Sequence, residues 1–155
     1  MNKLSSADLI VKKYTIASMG TGLIPIPFVD QIALMGVQNK MLSELTQIYK
    51  LPFSKDIGQS ILKVLLTTLL STNSLKVVLS HFLKFVPVIG TTIGGLSISM
   101  FNGASTYAIG QVFIQHFESG GTLLSFEPKK MQKDLKVKFK EGKQKTKEFE
   151  GEQLK

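Results

Sequence analysis

Apolar and polar positions alternate at helical spacing along most of the chain. Between the prolines and glycines, apolar side chains recur three or four residues apart, which is typical of amphipathic helices rather than strands. We therefore predict an all-α fold of about five helices, arranged as two helical hairpins whose turns are apolar and contain proline. The predicted helices run from about Ala7 to Met19, from Pro27 to Tyr49, onwards from a cap at Ser54, from Leu75 to Val86, and from Thr91 to about Phe117, with a stop at Gly120-Gly121. In the helix after Ser54, Asp56 lies in the first turn, and the predicted apolar side consists of Ile57, Ile61, Val64, Leu65 and Leu69.

The longest apolar stretch, from Phe85 to Phe117, has no formally charged side chain in 33 positions. A helix of this length would reach roughly 50 Å, whereas the hydrocarbon layer of a bilayer is ~30 Å thick. The stretch either spans a membrane or forms the buried centre of a helical domain. Because Pro87 lies near its start and Gly, Ser and Thr fill its interior, we favour one arm of a tightly packed hairpin.

Two predicted turns are unusual because they are apolar. Residues 23–27 (LIPIP) and 87–90 (PVIG) contain prolines that stop a helix, yet they lack the polar side chains that usually face water. Such turns are packed in a core, inserted in a bilayer or used as a docking surface. The candidate residues for contact with a partner or a membrane are Pro25, Ile26, Pro27, Phe28, Asp30, Pro87, Val88 and Ile89.

Asp30 is the only charged side chain between Lys13 and Lys40. A buried, unpaired carboxylate is costly, so in a core Asp30 would be a proton or cation site or a partner contact. The simpler interpretation, to which we give more weight, places it in the first turn of helix two, where the helix dipole stabilises an acid. His81 and His116, the only imidazoles, are interpreted as structural or surface residues.

Small residues recur at helical spacing in the last predicted helix. This spacing lets two helices approach closely, either in lipid or in a soluble bundle. A nucleotide site is not indicated, because neither a GxGxxG sequence after a strand nor a Walker A ending is present. The predicted helix-packing residues are Gly90, Gly94, Gly95, Gly103 and Gly110.

The chain becomes strongly basic towards its end. Residues 128–155 hold ten lysines and five acids, a net charge of +5, whereas residues 1–127 hold nine lysines and six acids, a net charge of +3. We predict a helical domain over residues 1–127 and a lysine-rich tail that forms a marginal helix and is disordered beyond Gly142. The tail either attracts anionic lipid headgroups or serves only as a solubilising segment. The headgroup candidates are Lys129, Lys130, Lys133, Lys136, Lys138 and Lys140.

The composition excludes several kinds of site. Without cysteine there is no disulfide, zinc-thiolate site or thiol nucleophile, and without arginine specific recognition of nucleic acid is not expected. No catalytic triad, carboxylate pair or metal-ligand spacing occurs, so we predict no enzymatic activity, no metal and no cofactor. The N-terminus does not resemble a cleaved signal peptide, so we expect the cytoplasmic side of a membrane, with peripheral or integral attachment.

Several blocks of the sequence together resemble a known family. They are the Ile-Pro-x-Pro-x-x-Asp block at 24–30, the ELTQIYKLPFS stretch, the Val-Pro-x-x-Gly-x-x-x-Gly-Gly block at 86–95 and the ASTYAIGQ stretch at 104–111. In this order they resemble domain-of-unknown-function family 697, the helical domain of YcjF-type inner-membrane proteins and of proteins beside or fused to Era-like GTPases. The resemblance covers about Ala17 to Gly121. It implies an all-helical, membrane-associated domain without established catalysis, and Asp30 falls on the family's Asp.

These observations predict a non-enzymatic, membrane-associated helical protein. By resemblance, its protein partner would be a GTPase or a membrane complex, and the small-residue face also suits a homo-oligomer. Two alternatives stay open: a soluble helical module that binds other proteins, and a pore-forming helical protein with Asp30 in the conducting path.

Overall fold

The computed structural model describes residues 2–22, 29–71 and 89–155, with side chains described for 2–22, 32–71 and 98–155. All regular structure in the described residues is helical, which confirms the all-α prediction. The predicted helix from Leu75 to Val86 lies outside the described residues. The helices are α1 (Lys3–Thr21), α2 (Val29–Ile48), α3 (Lys55–Leu70), α4 (Ile89–Glu118) and α5 (Gln132–Gln153).

The described part of the uncharged stretch, from residue 89 onwards, lies in helix α4 at the centre of this bundle. Its most extensive contacts are with α5 and α1, and it also touches α2 and α3. The side chains of Ala104, Ala108, Ile109, Val112 and Phe113 are completely buried. The described part of the stretch is therefore a core helix rather than an exposed one. No helix among the described residues combines the length and hydrophobicity needed to cross a membrane.

Helix α4 runs antiparallel to α1. The Ser18 hydroxyl of α1 donates a hydrogen bond to the Asn102 carbonyl (3.1 Å), and Gln111, further along α4, donates to Asp8 near the start of α1 (3.0 Å). Between these contacts, Gly110 lies directly against the Val11 side chain. The long helix is therefore closely packed on α1, whereas the other arm of the predicted hairpin, from Leu75 to Val86, lies outside the described residues.

Helix α2 runs parallel to α4. Gln38 of α2 donates a hydrogen bond to Thr106 of α4 (3.0 Å). At the C-terminal ends of the two helices, the Tyr49 hydroxyl donates a hydrogen bond to Glu118 (2.6 Å). The Tyr49 ring also packs on Phe117, with ring centroids 5.5 Å apart. Helix α1 therefore lies antiparallel to both α2 and α4, and α1 and α2 are consecutive in the chain.

Three helix boundaries compare directly with the sequence. Helix α1 begins four residues earlier than predicted, because Asn2 caps it by accepting a hydrogen bond from the Ser5 amide (2.8 Å). Ser54 caps α3 as predicted, accepting from the Ile57 amide (3.4 Å). Helix α4 begins at Ile89, so Ile89 and Gly90 belong to the helix and the prediction of a turn there is wrong.

The end of α4 follows the sequence prediction. Gly120 has a left-handed backbone, with φ at 84°, which costs glycine little and other residues more. Its amide donates to the Phe117 carbonyl and the Gly121 amide donates to the His116 carbonyl, each at 3.0 Å. These two hydrogen bonds are those of a glycine C-cap, and they satisfy carbonyls that have no partner within the helix. The predicted Gly120-Gly121 stop is therefore confirmed.

The predicted disorder beyond Gly142 is wrong, because α5 continues to Gln153. Its buried side recurs at three- and four-residue steps, which keeps one face of the helix against α4. Gly142 is part of this buried face and does not end the helix. The buried positions are Leu135, Phe139, Gly142, Thr146 and Phe149.

The predicted apolar side of α3 needs one correction. Ile61, Leu65 and Leu69 are buried as predicted, but Val64 is 45% exposed. Val64 lies one position before Leu65, about 100° around the helix, and therefore points away from the buried stripe.

A small polar network joins α1 to α2. Glu44 accepts hydrogen bonds from Lys13 Nζ (3.0 Å) and from the Tyr14 hydroxyl (2.6 Å). Burial raises the pKa of the Glu44 carboxyl, but the bonds from Tyr14 and Lys13, with the charges of Lys13 and Lys40, outweigh burial and leave that pKa lowered. The carboxylate therefore stays ionised and holds the two helices together at neutral pH.

Candidate functional site

Helix α5 divides its charges between two sides. Positions three, four and seven residues apart share one side of an α-helix. One side carries five lysines at such steps and, over residues 133–147, no acid; we call it the lysine flank. All are exposed except Lys143, which is half-buried with its ammonium 5.1 Å from the Phe139 ring centroid. The lysine flank consists of Lys133, Lys136, Lys140, Lys143 and Lys147.

The opposite side of α5 is acidic and partly neutralised. Lys138 pairs with Glu141 (3.0 Å) and Lys145 pairs with Glu148 (2.7 Å). Glu152, one turn beyond Glu148, accepts a bond from Lys12 of α1 (2.6 Å). The acidic side of α5 is therefore turned towards α1, and the lysine flank projects away from these pairs.

The net positive charge of residues 128–155 is also concentrated towards the start of α5. Residues 128–140 hold six lysines and one acid, a net charge of +5, whereas residues 141–155 hold four lysines and four acids, a net charge of zero. All of the excess charge of residues 128–155 thus lies in the loop before α5 and in its first turns. A fixed row of lysines without arginine attracts anions as point charges rather than by bidentate bonding.

The predicted headgroup residues fall into two groups in the structure. Lys129, Lys133, Lys136 and Lys140 are exposed and form no ion pair among the described residues. Lys130 pairs with Glu127 (2.7 Å) and Lys138 with Glu141, so both are partly neutralised. The sequence prediction missed Lys143 and Lys147. Their three- and four-residue steps from Lys140 were visible in the sequence, but they lie beyond Gly142, where a helix was not expected.

Of the residues predicted to contact a partner or a membrane, the structure describes only the backbone of Asp30 and Ile89. Pro25, Ile26, Pro27, Phe28, Pro87 and Val88 lie outside the described residues. Asp30 is the second residue of α2, so its backbone lies in the first turn as the simpler interpretation predicts. Ile89 is the first residue of α4. The side chains of Asp30 and Ile89 lie outside the described ones.

Two of the predicted packing glycines lie where helices approach closely. A Cβ at Gly103 would contact Thr146 Cγ2 of α5 and Met19 Cγ of α1, so the position is enclosed from two sides. A Cβ at Gly110 would lie 2.5 Å from Val11 Cγ2, closer than carbon atoms pack. Gly90, Gly94 and Gly95 lie in α4, in the part whose side-chain surroundings are not described.

A buried polar seam joins α1, α2 and α4. Gln38 is completely buried, and its amide nitrogen donates to Ser105 (3.3 Å) and Thr106 (3.0 Å), while its oxygen has no hydrogen-bond partner among the described residues. Ser99 donates to the Met19 carbonyl (2.8 Å) and the Asn102 amide lies 2.9 Å from the Thr21 hydroxyl. The sequence prediction missed this seam, because its members come from three separate segments.

A groove of about 520 Å³ opens on the outer side of α2 and α3. Its apolar wall includes Ile32, which is 73% exposed, together with Met35 and Phe53. Three exposed lysines also line it, namely Lys40, Lys55 and Lys63. We call this feature the α2–α3 groove; no sequence pattern had indicated it.

His116 has a structural role. Its Nε2 lies 2.9 Å from the Thr122 carbonyl, and its ring packs edge-on against Phe126 with centroids 5.1 Å apart. It thus fixes the loop after α4, whereas His81 lies outside the described residues. Among the described side chains, no group of three or more potential metal ligands comes together.

Comparison with known proteins agrees with the resemblance inferred from the sequence blocks. The family model for a domain of unknown function (DUF697) matches residues 2–144. A relative, Magnetosome membrane protein 22 of Magnetospirillum gryphiswaldense, is 30% identical over 137 residues, which cover 88% of this chain and 70% of the relative. No solved structure matches. The chain therefore belongs to the DUF697 family.

Proposed function

We propose that this protein is a non-enzymatic, membrane-associated helical protein that attaches to anionic bilayers through the lysine flank of α5. The observation that carries the proposal is the separation of charge on α5, with five lysines on one side and the paired acids on the other. A membrane attachment also agrees with the relative, which is described as a membrane protein.

The magnitudes support such an attachment. The lysines from Lys133 to Lys147 extend along about 21 Å of helix at 1.5 Å per residue, enough to contact several headgroups at once. A lysine close to an anionic leaflet contributes ~1 kcal/mol to the free energy of membrane binding, so three of the five lysines together would contribute ~3 kcal/mol. Because α5 is packed on α4, the backbone positions of its lysines are already fixed in a row, so binding does not have to order the helix itself. We place this leaflet on the cytoplasmic side, where anionic lipids are found.

Binding to vesicles of defined composition tests the proposal. We expect the full-length chain to co-sediment with vesicles containing phosphatidylglycerol but not with vesicles of phosphatidylcholine alone. Binding should fall by at least about tenfold between 0.05 and 0.5 M salt, because salt screens exposed charges. Equal binding to both kinds of vesicle, or binding that salt leaves unchanged, would contradict attachment by the lysine flank.

We propose a GTPase as the protein partner, on the ground that related family members occur beside or fused to Era-like GTPases. A chain carrying an affinity tag should capture a GTPase from membranes of its own source after cross-linking, and GTP or GDP should change the amount captured. Capture of membrane proteins without any GTPase would contradict this part of the proposal and leave the lysine flank untouched.

A further inference from the structure

The α2–α3 groove combines an apolar wall with positive charge. The side chain of Ile32 is 73% exposed and that of Phe53 is 36% exposed. Soluble proteins rarely expose large apolar side chains next to one another. Lys40, Lys55 and Lys63 line the same groove, and no acidic residue is among the lining residues described. The groove therefore has an apolar surface and a positive one side by side.

The lysines of the groove are not held in ion pairs by the described residues around them. Lys40, Lys55 and Lys63 form no ion pair among the described residues. Glu44, one turn from Lys40, is engaged by Lys13 and does not pair with it. An anionic group in the groove would thus meet three lysines that need not break other bonds to reach it.

We propose that the α2–α3 groove binds a single-chain anionic amphiphile, with the acyl chain against the apolar wall and a carboxylate or phosphate headgroup at the lysines. Its volume of about 520 Å³ is within the range of sites for small ligands, ~300–1,000 Å³. Charge and apolar surface together select an amphiphile over a purely polar anion. This site uses no residue of α5 and does not depend on the lysine flank.

The groove contains a position suited to a decisive substitution. Gly36 lines the groove, is exposed, and has no atom within 4 Å of where a Cβ would lie. A larger side chain at this position would occupy the groove without disturbing the core, and it would improve on glycine as a helix former. Gly151, in α5, is equally open and lies outside the groove, so it provides the matched control.

Binding of a fluorescent fatty acid below its micelle concentration tests the proposal. The probe is 11-(dansylamino)undecanoate, with palmitate, lysophosphatidylglycerol and uncharged methyl palmitate as competitors. We expect saturable binding to the full-length chain and displacement by palmitate and lysophosphatidylglycerol but not by methyl palmitate. Gly36→Phe should weaken binding by at least about tenfold, whereas Gly151→Phe should leave it unchanged, since only the first side chain fills the groove.

The charges are tested separately from the apolar wall. Lys55→Gln combined with Lys63→Gln should weaken probe binding several-fold at low salt, while Lys138→Gln combined with Lys145→Gln, which lie outside both the groove and the lysine flank, should leave it unchanged. Absence of saturable binding, equal binding by Gly36→Phe and the wild type, or equal displacement by methyl palmitate would each overturn the proposal. Because vesicle attachment is tested with substitutions in α5 and probe binding with substitutions in α2 and α3, failure of one proposal can be told apart from failure of the other.

Discussion

Gly142→Ala is expected to lower the free energy of unfolding by about 2 kcal/mol, although alanine is the better helix former. A Cβ at residue 142 would lie 2.7 Å from the Ala104 carbonyl oxygen and 3.0 Å from Ala104 Cα. These are backbone atoms of α4 that no side-chain rotation can move, so α4 and α5 would have to separate. Urea denaturation followed by far-UV circular dichroism measures the change.

Gly151→Ala is the matched control. Residue 151 lies in the same helix, yet no atom lies within 4 Å of where its Cβ would be. The same substitution should there be neutral or stabilise by up to ~1 kcal/mol, since only helix propensity changes. If Gly142→Ala were as harmless as Gly151→Ala, α5 would not be packed on α4 as described.

This packing changes how the C-terminal segment has to be studied. Leu135, Phe139 and Phe149 are at most 8% exposed, so deleting residues 128–155 would remove core side chains together with the lysines. Loss of membrane binding in such a deletion would not distinguish unfolding from loss of charge. Substitutions of exposed lysines separate the two effects.

Local signals in the sequence were sufficient for much of the fold. Ser54 followed by Asp56 predicted the start of α3, and Gly120-Gly121 predicted the end of α4, because caps and stops depend on a few neighbouring residues. For the long uncharged stretch, Pro87 and the small residues favoured a packed hairpin arm over a membrane span, and residues 98–117 lie in a largely buried helix. The apolar turns that the sequence singled out lie outside the described residues, and their role stays a prediction.

Features that depend on tertiary contacts could not be predicted in this way. Gly142 looked like a break, since a glycine costs a helix ~1 kcal/mol, and only the backbone of α4 beside it explains why glycine is needed. No sequence signal marked Gln38 as buried, and its amide is bonded to Ser105 and Thr106 from a segment almost seventy positions away. Lys143 and Lys147 of the lysine flank were missed for the same reason, because they belong to it only if α5 continues past Gly142.

Replacing two lysines of the flank should have the largest effect on membrane binding. Lys136→Gln combined with Lys140→Gln removes two adjacent, exposed charges that form no ion pair among the described residues. At ~1 kcal/mol for each lysine near an anionic surface, the partition coefficient onto phosphatidylglycerol vesicles should fall about thirtyfold. The fold should be unaffected, because both side chains point away from the core.

Lys138→Gln combined with Lys145→Gln is the control for this variant. It lowers the net charge from +8 to +6, as the test variant does, and it changes the same helix. Its two lysines, however, lie on the acidic side and are paired with Glu141 and Glu148. Losing such surface pairs costs ~0–1 kcal/mol of stability, and the lysine flank remains complete.

The ratio of the vesicle partition coefficients of these two double variants, measured at low salt on full-length chains of equal circular dichroism, tests the central claim most directly. If the lysine flank of α5 is the attachment surface, the control should bind within about threefold of the wild type, and the flank variant about thirtyfold more weakly. Equal partition coefficients for the two variants would show that only net charge matters and would contradict attachment through the lysine flank.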